Sequence, residues 1–312
     1  MKQQLIEDIQ QNGRLKSWFE YAIMYNIRPG GTRKQRTKAA NDVWRNYLRK
    51  QKRKKKNKLA KVLIFDIETA PLKAWVWSAW NNNLYNQDMI EVDQWLTLSW
   101  SAKWLHTSKL MNAGITPKEI KKENDKQVIS KLWKLFDEAD IVIAHNAWKF
   151  DIRMMNGRFL KHGLNPPSPY KVIDTLKVAK RMFRLPKYNL DYLCQYLGIP
   201  GKIKTDASLW VRVMSGEPEA MKEMLAYNDQ DVIPLEQLYL KLRPWIPNHP
   251  NVNLFLDLNE ANCPTCGSDE LLSSGEYMTA VNKYDVLQCQ NCGANSRKRK
   301  NNADTKKVLK SI

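Results

Sequence analysis

The stretch Lys61–Ala70, KVLIFDIETA, constrains this chain more than any other. An apolar run, Val62 to Phe65, leads into Asp66-Ile67-Glu68-Thr69 and stops at Pro71. β-Branched and aromatic residues bounded by a proline predict a strand. Strand side chains alternate faces, so Asp66 and Glu68 project to the same side. Ionised carboxylates are rarely buried unless they are paired or bind a cation. The pair is therefore either a strand end turned to solvent or two ligands for a hard cation. The second reading needs further carboxylates downstream.

Two candidates follow. A short apolar strand, Asp140 to Ala144, runs into His145-Asn146-Ala147-Trp148-Lys149-Phe150-Asp151, which opens a helix to about His162. Alone, Asp151 fits the ordinary preference for acids at a helix N-terminus. Within 216–242 a long helix carries Tyr227-Asn-Asp-Gln-Asp231. Tyr227 and Asp231 stand at i and i+4 and share a face, whereas Asp229 is expected to turn to solvent. Pro234 removes the bond to the Gln230 carbonyl, which predicts a kink or break just past Asp231.

Residues 62–248 read as an α/β domain. After the opening strand, 74–80 and 95–105 suit two further strands of an antiparallel meander, and β-α-β pieces follow. The expected architecture is a mixed sheet with helices on its faces. Trp75, Trp77, Trp80, Trp95, Trp100 and Trp104 read as core and strand-pair residues, and Cys194 as a core residue.

The order of these motifs resembles the DEDD superfamily of 3′→5′ exonucleases on a ribonuclease-H-like fold. D-x-E is Asp66/Glu68, N-x3-F-D is Asn146 to Asp151, and Y-x3-D is Tyr227 to Asp231, the tyrosine branch (DEDDy). The detail is most similar to the proofreading domains of family-B DNA polymerases. The resemblance implies two Mg²⁺ or Mn²⁺ ions. Asp66, Glu68 and Asp231 would hold the ion carrying the nucleophile, Asp66 would bridge, and Asp151 would hold the second. It also implies that Tyr227 orients the attacking water. His145, Asn146 and Phe150 are candidate substrate contacts, with a structural hydrogen-bonding role open for His145.

Cys263-Pro-Thr-Cys266 and Cys289-Gln-Asn-Cys292, each followed by glycine, are the second strong signal. Four thiolates at this spacing suit one tetrahedral, structural Zn²⁺ with no open position. The 259–297 segment resembles a zinc ribbon, and a basic tail, 298–312, read as disordered, follows.

The net charge of +19 is unevenly spread. Residues 1–61 hold 18 Lys and Arg against 4 Asp and Glu. They read as two short amphipathic helices after a brief start: one carrying Leu15, Trp18, Phe19, Ala22 and Ile23, the second from about Thr37. The run Lys52, Arg53, Lys54, Lys55, Lys56 then links this arm to the domain. A basic arm on a near-neutral body points to a polyanion, nucleic acid rather than membrane. No apolar run approaches the ~20 residues of a membrane span, and the expected location is the cytoplasm, or a host's cytoplasm if the gene is a phage's. The expected function is a metal-dependent 3′→5′ DNA exonuclease, with a replication or recombination protein as a candidate partner. RNA is the alternative substrate, and a non-catalytic nucleic-acid-binding adaptor the alternative class.

Overall fold

A computed structural model describes residues 2–56, 60–76, 95–201, 205–255, 261–303 and 308–310, with the side chains of 46 and 48–56 outside the description. The chain divides into two units, Met1–Leu59 with Leu254–Asn259, and the remainder.

The N-terminal unit holds α1 (Lys2–Asn12), α2 (Trp18–Met24) and α3 (Arg33–Lys56). Leu5, Ile9, Tyr21, Ala22, Ile27 and Ala40 form its own core. Leu15 is not on the helical face: Ser17 caps α2 in a capping box with Glu20, and Leu15 lies before the cap, exposed. The side chain of Thr32 accepts a bond from the Gln35 amide, so α3 starts four residues before Thr37. The basic run is no separate linker. Its backbone continues α3 to Lys56, as the good helix propensity of Lys, Arg and Gln allows.

The second unit is built on a five-stranded sheet, β1 (Val62–Thr69), β2 (Thr97–Trp104), β3 (Leu110–Gly114), β4 (Ile141–Ala144) and β5 (Lys171–Asp174), in the order β3-β2-β1-β4-β5. β1–β2 and β2–β3 are antiparallel, and β1–β4 and β4–β5 parallel. The third meander strand is therefore β3, not 74–80. Residues 74–76 form no strand, and 77–80 lie outside the described residues. β3 is LMNAG, without a single β-branched residue; its pairing is set by the hairpin from β2, in which His106 takes φ +63°. Trp100 is buried and Trp104 half-buried, but Trp75 and Trp95 are exposed; Trp77 and Trp80 are outside the described residues.

The alternation of β1 divides the core. Leu63, Phe65 and Ile67 join the cluster under α5 (Lys126–Glu138) and α6 (Asp151–Lys161). Between these helices the buried Asp125 accepts from Arg158 Nη2 at 2.6 Å and Nε at 2.9 Å, and from the Thr97 amide at 2.8 Å. Val62 and Ile64 face the other way and pack with Val232, Leu235 and Leu238. These belong to α10 (Pro218–Leu242), which follows α4 (Pro117–Lys121), α7 (Thr175–Met182), α8 (Leu190–Tyr196) and α9 (Ser208–Met214). Cys194 of α8 is buried in the same cluster. α10 is unbroken through Pro234. One lost hydrogen bond is outweighed where Pro234, Leu235 and Leu238 are all buried, since each buried aliphatic side chain contributes roughly 1.5–3 kcal/mol.

The C-terminal segment forms a second sheet, β6 (Leu271–Met278), β7 (Lys283–Cys289) and β8 (Asn295–Arg297). It meets the first through Val252, whose amide donates to the Pro264 carbonyl at 2.8 Å. The start of the basic tail is ordered against β7: Lys298 donates to the Asp285 carbonyl at 2.9 Å and Asn302 to the Lys283 carbonyl at 2.7 Å.

Candidate active site and four-thiol centre

Along the face of β1 that carries Val62 and Ile64, the next two side chains are Asp66 and Glu68. Opposite them, α10 replaces its apolar residues with Tyr227, Asn228 and Asp231. The apolar seam between strand and helix thus ends in a polar one. Asp66, Glu68 and Asp231 each offer an oxygen, and these oxygens lie within 4.8 Å of one another. Three acids at that separation repel unless a cation lies between them. Two are half-buried and Asp231 is buried, so solvent screening does not relieve the crowding. The donor set is all hard oxygen, which fits Mg²⁺ or Mn²⁺.

Asp151 approaches the group from β4's side, in the first turn of α6 and only 3% exposed. Burial, and next the charge of Asp66, hold its carboxyl well above the ordinary carboxylate range. Burial, and then the charges of Asp231, Glu68 and Asp66, push the Tyr227 phenol further up; it donates a hydrogen bond to Asp231. Tyr227 therefore stays protonated at neutral pH. Trp210 of α9 holds its ring edge-to-face at 5.9 Å.

The turn between β4 and α6 fixes the remaining motif residues. Asn146 takes φ +72°, a left-handed conformation that asparagine tolerates. Its amide donates to Asp174 Oδ1 at 3.1 Å, and the Trp148 amide to Asp174 Oδ2 at 3.2 Å. His145 is turned into the fold: its Nε2 lies 2.9 Å from the Tyr188 carbonyl and Nδ1 2.9 Å from Thr175 Oγ1. Its structural alternative is the one the geometry fits, since both ring nitrogens are engaged inside the protein. Phe150 packs against Trp95 at 6.2 Å.

Asp229 does not turn to solvent. It accepts from Ser101 Oγ at 2.6 Å and Asn112 Nδ2 at 2.8 Å, because α10 lies across β2 and β3. Three residues not singled out in the sequence support the site. Asn228, fully buried, donates from Nδ2 to Asp66 Oδ2 at 2.7 Å and accepts from Ser99 Oγ at 3.1 Å. Asp174 pins the turn that precedes Asp151. Trp210 backs the phenol. Asn228 falls inside the Y-N-x-x-D-V string of the family resemblance, but no local signal gives any of the three its role, since each role depends on a neighbour distant in sequence. The side chains of Lys52 to Lys56 fall outside the description.

In the C-terminal sheet Cys263, Cys266, Cys289 and Cys292 converge, with Cys263 and Cys292 sulfurs 3.6 Å apart and Cys266 and Cys289 sulfurs 3.6 Å apart. A tetrahedral centre with ~2.3 Å Zn–S bonds has sulfurs about 3.8 Å apart, far from the ~2.05 Å of a disulfide. Each CxxC closes the same way. Gly267 and Gly293 take φ +83° and +77°, and their amides donate to the carbonyls of Cys263 and Cys289. Burial pushes the Cys289 thiol up, but the amides of Cys292 and Asn291, together with hydrogen bonds from the Cys266 and Cys263 thiols, bring it down to about 7. This four-thiol cluster is compatible with a zinc ribbon.

A family model described as Exonuclease (RNase_T) matches residues 110–204, a span that includes Asp151 but neither β1 nor α10. The DNA polymerase III PolC-type of Ureaplasma parvum serovar 3 is 28% identical over 148 residues, 45% of this chain and 10% of that protein. The protein of the same name from Streptococcus pyogenes serotype M2 is 28% identical over 135 residues, 41% of this chain and 9% of its own length. The chain thus spans about a tenth of the curated relatives it matches. The family B DNA polymerase of the hyperthermophilic archaeon Pyrobaculum calidifontis has a TM-score of 0.43 at 12% identity, over 64% of this chain and 27% of that one. Residues 110–204, which match the exonuclease family model, carry Asp151 and belong to the same mixed sheet whose β1 ends in the acidic cluster.

Proposed function

We propose that this chain is a 3′→5′ exonuclease that hydrolyses DNA with two divalent ions, Mg²⁺ or Mn²⁺. The observation that carries the reading is the convergence of Asp66, Glu68 and Asp231 beside the protonated phenol of Tyr227. Asp66, Glu68 and Asp231 would hold one ion and Asp151 the other, with Asp66 shared. Bound there, such ions activate water and neutralise the charge that builds on phosphorus. Tyr227, its one O–H given to Asp231, would orient the attacking water through the lone pairs of the phenol oxygen; protonated, it is not the base. Asn228 fixes which Asp66 oxygen faces the site. The four thiols would hold one structural Zn²⁺. DNA is preferred because the relatives are named as DNA polymerases. A replication or recombination protein is the proposed partner.

Digestion of 5′- and 3′-labelled DNA and RNA strands, with and without Mg²⁺ or Mn²⁺, tests the reading. Mononucleotides released stepwise from the 3′ end of DNA are expected. Internal cuts, release from the 5′ end, preference for RNA, or no hydrolysis would each overturn a stated part.

Two expected results follow from the supporting residues. Asn228→Ala lowers kcat/KM by roughly 10–100-fold, the usual cost of losing a group that orients a metal ligand. The half-saturating Mg²⁺ concentration rises with it, which a merely structural role would not produce. Removing residues 1–58 flattens the salt dependence of binding. At about −0.7 in log–log slope per phosphate contact, four or five lost contacts amount to roughly three units. KM rises far more than kcat falls, the pattern of lost uniform binding. An unchanged slope, read by fluorescence anisotropy across a salt series, would show that the arm is no nucleic-acid anchor.

A further inference from the structure

Two clefts of about 460 Å³ each adjoin at the end of β4 and β5, sharing Trp148, Asp174 and Lys177 in their walls. Lys149 and Lys180 line one, and Lys171 and Arg181 the other. All five cations are exposed. None forms an ion pair within the described residues, and what distinguishes them is that all five line one pair of adjoining clefts around Trp148. Asp174, an acidic group in the same wall, points its oxygens at the amides of Asn146, Trp148 and Lys177. Five cations against this one carboxylate leave the cleft walls net positive.

Trp148 stands among these cations with 48% of its surface exposed. Its backbone is fixed, since Asp174 pins the turn at both Asn146 and Trp148. The same turn delivers Phe150 and then Asp151 to the carboxylate site. A half-exposed indole on a pinned backbone, among cations that have no carboxylate partner within the described residues, lies outside the core clusters and matches one chemistry well. Phosphates follow the cations, and an unpaired base stacks on the ring. A duplex offers no free base face to that ring.

We propose that this groove is a binding track for single-stranded DNA, with Trp148 as a stacking platform and Lys149, Lys171, Lys177, Lys180 and Arg181 as phosphate contacts, leading the strand toward Asp151. The track deepens the exonuclease reading and rests on it for the choice of DNA. It is separate from the basic N-terminal arm.

The test uses the full chain carrying Asp231→Asn throughout, so that no probe is cut. A short fluorescein-labelled oligothymidylate is titrated by anisotropy over a salt series. Trp148→Ala should weaken binding by roughly five- to 150-fold, the range for one lost base stack. Lys177→Ala with Lys180→Ala should flatten the log–log slope by about 1.4, two contacts on a single strand. Lys118→Ala with Lys122→Ala, the same charge change in the cleft beside α4, is the control and should leave the slope nearly unchanged. Circular dichroism melting shows that each variant is folded. Equal flattening by both lysine pairs would mean diffuse attraction and overturn the groove. So would wild-type-like affinity in Trp148→Ala, or an equal loss for duplex and single strand. Failure of the exonuclease reading is seen separately, as absent hydrolysis by the chain with Asp231 intact.

Discussion

Asp66→Ala or Asp231→Ala is expected to reduce phosphodiester hydrolysis by more than about a thousandfold while leaving the domain folded. Each variant removes one of three carboxylates whose oxygens lie within 4.8 Å. Charge stabilisation at such a site is worth several kcal/mol, and each ~1.4 kcal/mol is a factor of ten in rate. Asp66→Asn, which keeps an oxygen to accept the Asn228 bond, should stabilise the protein when no magnesium or manganese is added. Asp151 shows why. Its carboxyl is held above its unfolded value by burial and by Asp66. The native state therefore keeps that proton to higher pH than the unfolded chain does. Stability without metal is then greater in mild acid and declines as pH rises through the raised pKa. Asp66→Asn removes part of that penalty, and a domain of this size gains about 2–4 °C in melting temperature per kcal/mol. Opposite shifts in activity and melting temperature distinguish a ligand cluster from an ordinary hydrogen-bonded acid group, whose removal lowers both. Near-normal turnover in either variant, or a lower melting temperature for Asp66→Asn without metal, would remove the basis for the site.

What the sequence made legible was what obeys a fixed period. The D-x-E of β1 is readable because strand alternation places Asp66 and Glu68 on the face already carrying Val62 and Ile64. Tyr227 and Asp231 are readable because i and i+4 coincide on a helix. The thiol cluster is readable from two CxxC spacings. Features that depend on a neighbouring element were not. Asp229 is turned inward only because β2 and β3 present Ser101 and Asn112 to it. Asn228 looks like a routine helix residue until α10 is laid across Asp66 and Ser99. β3 lacks a strand composition and is imposed by its hairpin, while the Trp-rich stretch that looked more strand-like leaves Trp75 exposed. Pro234 shows tertiary packing overriding a local rule. His145 reads as a site residue by position, yet its ring is spent on Thr175 and Tyr188.

Cys289→Ser is expected to release the C-terminal sheet without dismantling the first. β6 shows how little else holds it: every residue from Leu272 to Met278 is exposed. The buried cluster of that segment is Cys263, Cys289 and Ala294, with Cys266, Leu271 and Cys292 around it. Four of those six are the thiols themselves, so the apolar core is close to nothing without the ion they would hold. Structural zinc contributes ~10–16 kcal/mol to such modules, more than the whole stability of an ordinary domain at ~5–15 kcal/mol. Losing one of four ligands should therefore unfold 261–303, detected as new protease cleavage there. The five-stranded sheet keeps its two apolar clusters and should keep its melting transition. The effect on hydrolysis is predicted to be indirect, because the ribbon meets the main sheet's unit at Val252 and near Tyr239, which lies about two helical turns beyond Asp231 on α10. Atomic absorption on the purified chain supplies the direct measurement, with one zinc per chain expected and a reduced content in Cys289→Ser. A protein free of zinc, yet protease-resistant across 261–303, would mean that hydrogen bonds at the two CxxC turns and the β6–β7 pairing suffice, and the structural-metal reading would fall.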